Sequence, residues 1–143
     1  MIEEFISNSQ EETENFARKF ALKIGFQPVA ILLKGNLGSG KTAFSRGFIR
    51  ALTGDENLTI ASPTFLISYS YKAKNGLEIR HMDLYRLKKQ EEIFDLDIEN
   101  AFENCITLIE WPEILEGITP KEHIQIQFEY IDENRRKIMI SRN

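Results

Sequence analysis

The run Gly35-Asn36-Leu37-Gly38-Ser39-Gly40-Lys41-Thr42 has the form G-x-x-x-x-G-K-[ST], and each residue type in it suits a polyphosphate. Gly35, Gly38 and Gly40 permit backbone angles that turn successive N–H groups inward, into an anion nest. A helix beginning near Lys41 adds the positive end of its dipole. Lys41 supplies a point charge for terminal phosphates, and the Thr42 hydroxyl can ligate a magnesium ion. The candidate phosphate cradle is therefore Leu37, Gly38, Ser39, Gly40, Lys41, Thr42 and Ala43. Such a site also needs a carboxylate, usually at the end of a neighbouring strand. Glu110 follows four residues, Ile106 to Ile109, that read as a buried strand, and Asp83 ends another strand-like run. Asp83 has two readings: a cap or turn residue before Leu84-Tyr85-Arg86, or a carboxylate that orients water or holds the metal's water shell.

The elements that must carry these residues can be read around them. Val29 to Leu33 is a continuous apolar run, as in a strand buried on both faces. Phe44, Phe48 and Leu52 define a helix after the glycine-rich loop, and Gly54 suits its stop. An earlier helix is expected from Phe16, Phe20 and Ile24, opened by a capping box at Ser9 and Glu12 and closed by Gly25. Phe65, Ile67, Tyr69 and Tyr71 alternate, as do Leu77, Ile79 and His81. Asn75-Gly76 between them predicts a two-residue hairpin turn that pairs Lys74 with Leu77 and Ser68 with Asp83. A polar helix is expected from Lys88 to Phe102. Pro112 cannot continue a ladder, so Glu110 falls at a strand's carboxyl end. A second hairpin follows from the alternation of Ile124, Ile126, Phe128 and Tyr130, then Ile138 and Ile140.

The chain has 143 residues, with 18 Lys plus Arg against 22 Asp plus Glu and a formal net charge of −4. That balance argues against a free-standing nucleic-acid binder. A single cysteine, Cys105, excludes an internal disulfide and a cysteine-based zinc site. No apolar run approaches the roughly 18 residues that span a membrane, and Glu3 and Glu4 stand where a signal peptide would be basic. The expectation is one cytoplasmic phosphate-loop domain over residues 1–143. Its fold class is α/β, a P-loop NTPase-like three-layer sandwich with a mixed sheet and two β-hairpins.

Four blocks in order, Gly35 to Thr42, Ser62-Pro63-Thr64-Phe65, His81-Met82-Asp83-Leu84-Tyr85-Arg86 and Ile109-Glu110-Trp111-Pro112-Glu113, resemble the bacterial TsaE (YjeE) family of small ATPases. The resemblance runs from the first helix to the last hairpin. It implies ATP and Mg2+ as cofactors, slow hydrolysis, and support for the TsaD and TsaB proteins that make threonylcarbamoyladenosine on tRNA. The tRNA would be met only through that complex. It further implies that Lys41 and Thr42 contact phosphates and magnesium, and that Glu110 is the second protein metal ligand. Thr64, in a switch-like segment, would sense the γ-phosphate. Asp83 and Trp111 match positions tied to activity or partner contact, and the Ser7 to Thr13 region matches one that approaches the adenine. Three residues depart from the pattern: Asn36 replaces a usual Asp, Ser39 a usual Ala, and Asp97 a frequent Gly.

Other residues have plainer readings. His81 shares a face with Leu77 and Ile79 and reads as a semi-buried sheet residue. Cys105 reads as a small packed hydrophobe. Trp111 is either a plug at the core edge or, with Tyr85, a partner anchor. Arg86 to Lys89 and Arg135 to Lys137 read as solvated faces. Competing classes are a small-molecule kinase, for which 143 residues leave little room for an acceptor pocket and lid, and a GTP switch, which would need an absent Asn-Lys-x-Asp segment. A nucleotide-gated assembly factor is the third.

Overall fold

A computed structural model describes residues 2–36, 38–63 and 67–143, so expectations placed on Leu37, Thr64 and Phe65 lie outside the described residues. Seven strands form one mixed sheet in the order β1-β7-β6-β2-β5-β4-β3. These are β1 (Ile2–Ser7), β2 (Val29–Lys34), β3 (Ser68–Lys72), β4 (Glu78–Asp83), β5 (Ile106–Glu110), β6 (Ile124–Tyr130) and β7 (Arg136–Arg142). The central strands β6, β2, β5 and β4 are parallel; β3 pairs antiparallel with β4 on one side, and β7 pairs antiparallel with both β6 and β1 on the other. Helices α1 (Gln10–Ile24) and α2 (Lys41–Thr53) cover one face. A 3-10 segment (Gln90–Leu96) and α3 (Ile98–Asn104) cover the other. This is the expected three-layer α/β sandwich with two hairpins.

The two-sided burial of β2 follows from its unbroken apolar run. Ile31 and Leu33 enter the core under α1 and α2, and Leu32 enters the core on the opposite face. Phe16, Phe20, Phe44, Phe48 and Phe128 form one aromatic cluster between the helices and the sheet, with centroids 5.7–6.4 Å apart. The helices can pack this closely because of Gly47. A Cβ there would stand 2.2 Å from the Glu14 carbonyl oxygen of α1. The capping box opens α1 as read, with Ser9 Oγ accepting from Glu12 N–H at 3.1 Å, although the Glu12 carboxylate accepts from Asn8 N–H rather than from Ser9.

Two local expectations are corrected, and one strand is new. The first hairpin pairs Tyr71 with Ile79 and Ser68 with Met82, one residue away from the expected register. Its loop has three residues, Lys74 to Gly76, closed by Ala73 N–H to Leu77 O at 2.8 Å. A two-residue turn would require positive φ at Asn75 as well; only Gly76 has it, at 90°. Lys74 N–H instead bonds Leu52 O at 2.8 Å, tying the loop to the end of α2. Next, the stretch from Lys88 to Phe102 is no continuous helix. It breaks at Asp97, which is left-handed at φ 53°, and that geometry explains why glycine suits this position. Finally, β1 answers to no expectation: it pairs along β7 from Ile2 to Ser7, and its sequence lacks alternation.

Candidate functional site

The parallel strands place the candidate carboxylates together. Glu110 is in register with Leu33 of β2 on one side and with Asp83 of β4 on the other. All three lie at strand carboxyl ends, where ligands of open α/β sheets bind. From Lys34 the chain turns through Gly35 into the phosphate loop and then into α2. A side chain at Gly35 would collide with Ser39 Oγ at 2.6 Å and with Phe128 at 3.0 Å, so only glycine fits this turn.

A cavity of about 420 Å³ opens over this edge, lined by Gly38, Ser39, Gly40, Lys41, Thr42, Ala43, Ser62, Asp83, Glu110 and Trp111. Every described member of the expected cradle is therefore present; Leu37 and Thr64 lie outside the described residues. Ser9, Gln10 and Thr13 from the start of α1 complete one wall, and Glu133, Asn134 and Arg136 from the β6–β7 turn complete another. The first group falls within the region that the resemblance pointed to. The second was missed, because a polar turn 90 residues away carries no local signal.

The buried ammonium of Lys41 donates to Gly35 O at 2.6 Å and lies 3.9 Å from the centroid of the Trp111 ring. Burial pulls its pKa below the ordinary value, and the carboxylates of Glu110, Asp83 and Glu113 oppose the shift. Trp111 adopts φ 56°, a strained conformation for a bulky residue, and its ring centroid lies 4.8 Å from that of the exposed Tyr85, with the two planes tilted by 50°. It joins neither core, so the reading as a core plug fails.

Glu110 and Asp83 are both buried. Asp83 Oδ1 accepts Tyr85 N–H at 2.9 Å, which makes it a turn residue with no helix after it, while it also lines the cavity. His81 is fully buried rather than semi-buried, and its Nε2 lies 2.6 Å from Glu110 Oε2. Its Nδ1 has no hydrogen-bond partner among the described residues. The alternation of β4 put His81 and Asp83 on one face, but the sequence did not show that the face abuts Glu110. Ser39 Oγ is also buried without a partner among the described residues, a liability that the usual alanine avoids.

No cluster of three or more metal-ligating side chains occurs among the described residues. The Thr42 hydroxyl and the Asp83 and Glu110 carboxylates form a sparse set of hard oxygens, which fits Mg2+ completed by substrate phosphates and water. Charge points the same way. Two buried carboxylates beside a phosphate loop repel a polyphosphate unless a cation lies between them.

The family model described as "Threonylcarbamoyl adenosine biosynthesis protein TsaE" matches residues 7–138. The chain belongs to the TsaE family. It is 44% identical over 131 residues to the tRNA threonylcarbamoyladenosine biosynthesis protein TsaE of Rickettsia bellii, covering 92% of this chain and 89% of that one. To its counterpart in Aquifex aeolicus it is 32% identical over 142 residues, covering 99% and 98%. The crystal structure of Bacillus subtilis YdiB superposes with a TM-score of 0.72 at 28% identity, over 98% of this chain and 84% of that one. A TsaE chain on a phosphate-loop fold points to nucleotide binding at this edge. No helix among the described residues is long and apolar enough to cross a membrane.

Proposed function

We propose that this TsaE-family chain is a slow, magnesium-dependent cytoplasmic ATPase that supports turnover of a TsaD–TsaB complex making threonylcarbamoyladenosine on tRNA. The observation that carries the reading is the convergence of Lys41, Thr42, Asp83 and Glu110 on one cavity floored by the phosphate loop. The pathway comes from the names of its relatives.

In this reading the loop amides and α2 N-terminus bind the β- and γ-phosphates. Lys41 leaves Gly35 O and Trp111 to meet the terminal phosphates. Thr42 and Glu110 would hold Mg2+, which neutralises charge on the phosphate oxygens. Asp83 orients the water that attacks the γ-phosphorus as the bond to the bridging oxygen breaks. Thr64 senses the γ-phosphate by family resemblance, and the Ser62 to Phe65 segment changes state on its loss. The chain offers no covalent destination for the phosphoryl group, so hydrolysis acts through partner affinity. Tyr85 and Trp111, in tilted ring contact beside the cavity, are the proposed partner anchors, and tRNA is reached only through the complex.

Multiple-turnover hydrolysis measured with and without TsaB and TsaD tests the proposal. Slow magnesium-dependent release of phosphate alone, raised by the partners, is expected. No hydrolysis under either condition would reject the ATPase reading.

A further inference from the structure

The basic run Arg135 to Lys137 reads from sequence as a solvated face, yet one member is turned inward. Arg136 Nε and Nη2 both donate to Gly38 O, at 3.2 and 2.9 Å. Nη1 donates to Asp132 O and to Arg135 O. The guanidinium carbon lies 4.6 Å from the Tyr130 ring centroid, and the Arg136 Cγ is 3.7 Å from where a Gly40 Cβ would stand. Among the described residues Arg136 forms no ion pair with a carboxylate. All four of these hydrogen bonds go to backbone carbonyls, and two of them converge on one oxygen of the phosphate loop.

A loop with Gly35, Gly38 and Gly40 gains much conformational freedom in the unfolded chain and is costly to order. Gly38 is left-handed at φ 76°, and a planar, rigid fork holds its carbonyl from the β6–β7 hairpin, whose β6 lies directly beside β2. We propose that Arg136 is a positioning residue: the C-terminal hairpin, through this fork, fixes the phosphate loop in a nucleotide-ready form before the ligand arrives. The inference rests on the ATP-site reading and deepens it.

The test compares Arg136→Ala and Arg136→Lys in the full chain by steady-state ATP hydrolysis and by hydrogen exchange without nucleotide. In Arg136→Ala the KM for ATP should rise about tenfold, as expected for the loss of a charged double contact, with kcat unchanged. Amides of residues 38–43 should exchange faster, while ladder amides of β6 and β7 keep their protection. Arg136→Lys keeps the charge and loses the fork, so it should recover less than half of the loss. Unchanged loop exchange in Arg136→Ala would overturn the assignment, as would full rescue by lysine. Equal loss of protection in loop and hairpin would also overturn it, by reducing Arg136 to a general structural role. The exchange arm needs no ATP, so it can fail on its own; absence of ATP binding by the parent chain would instead overturn the ATP-site reading.

Discussion

Replacing Lys41 with methionine removes a charge and keeps an unbranched apolar stem. The ammonium bonds Gly35 O at 2.6 Å and lies 3.9 Å from the Trp111 ring. A charge-assisted hydrogen bond is worth about 1.5–3 kcal/mol, and a cation–π contact about 0.5–2 kcal/mol. Against both stands the cost of burying the ammonium, which is visible in its lowered pKa and reaches several kcal/mol for an ion taken from water. The opposing effects are comparable, so folding stability should change by no more than about 1 kcal/mol. In nucleotide binding the ammonium exchanges Gly35 O and Trp111 for the terminal phosphates. The loss of one charged contact to the terminal phosphates should weaken ATP affinity by about 10- to 100-fold, and hydrolysis should fall to background. Fluorescent-nucleotide titration and urea unfolding of Lys41→Met measure the two effects. Affinity within twofold of the parent would show that Lys41 stays on Gly35 and Trp111 when nucleotide binds, and the reasoning would be wrong.

Further expectations concern the carboxylates, the helix crossing and the thiol. Glu110→Gln should lower hydrolysis far more than nucleotide affinity, by about 100-fold against less than tenfold, and Asp83→Asn should do the same if Asp83 orients water. Full magnesium-dependent activity in Glu110→Gln would move the metal ligand to Asp83. Gly47→Ala drives a methyl into the Glu14 carbonyl and should lower the unfolding free energy by about 2 kcal/mol despite better helix propensity; a stabilised variant would contradict the close crossing. Burial raises the Cys105 thiol pKa, so native protein at pH 8 should react with a thiol reagent far more slowly than unfolded protein. Because the folded pKa lies above the unfolded one, this group's contribution to stability should decline as pH rises past about 8.5. Rapid labelling of the native thiol would contradict both statements.

What the sequence made legible follows the range of each interaction. The phosphate loop, its flanking strand and helix, and Glu110 at a strand end are local patterns, and the chain folds them where those patterns point. The Asn75-Gly76 signal correctly marks a hairpin but cannot choose between turn types. The bond from Lys74 to Leu52, 22 residues away, decides the register. The β1 strand is stabilised by pairing with β7, which no pattern within Ile2–Ser7 announces. The same holds for the site's supporting contacts. His81 on Glu110, Trp111 over Lys41 and Arg136 on Gly38 join elements that only the sheet order brings together.

The central claim is that this cavity binds Mg-ATP. Hydrogen exchange of the chain with and without Mg-ATP tests it most directly, because the readout is located along the sequence. New protection is expected to be concentrated in residues 38–43, with smaller effects near Asp83 and Glu110, and none when Lys41→Met is tested at the same subsaturating ATP concentration. Protection elsewhere in the chain, or none at saturating Mg-ATP, would contradict it.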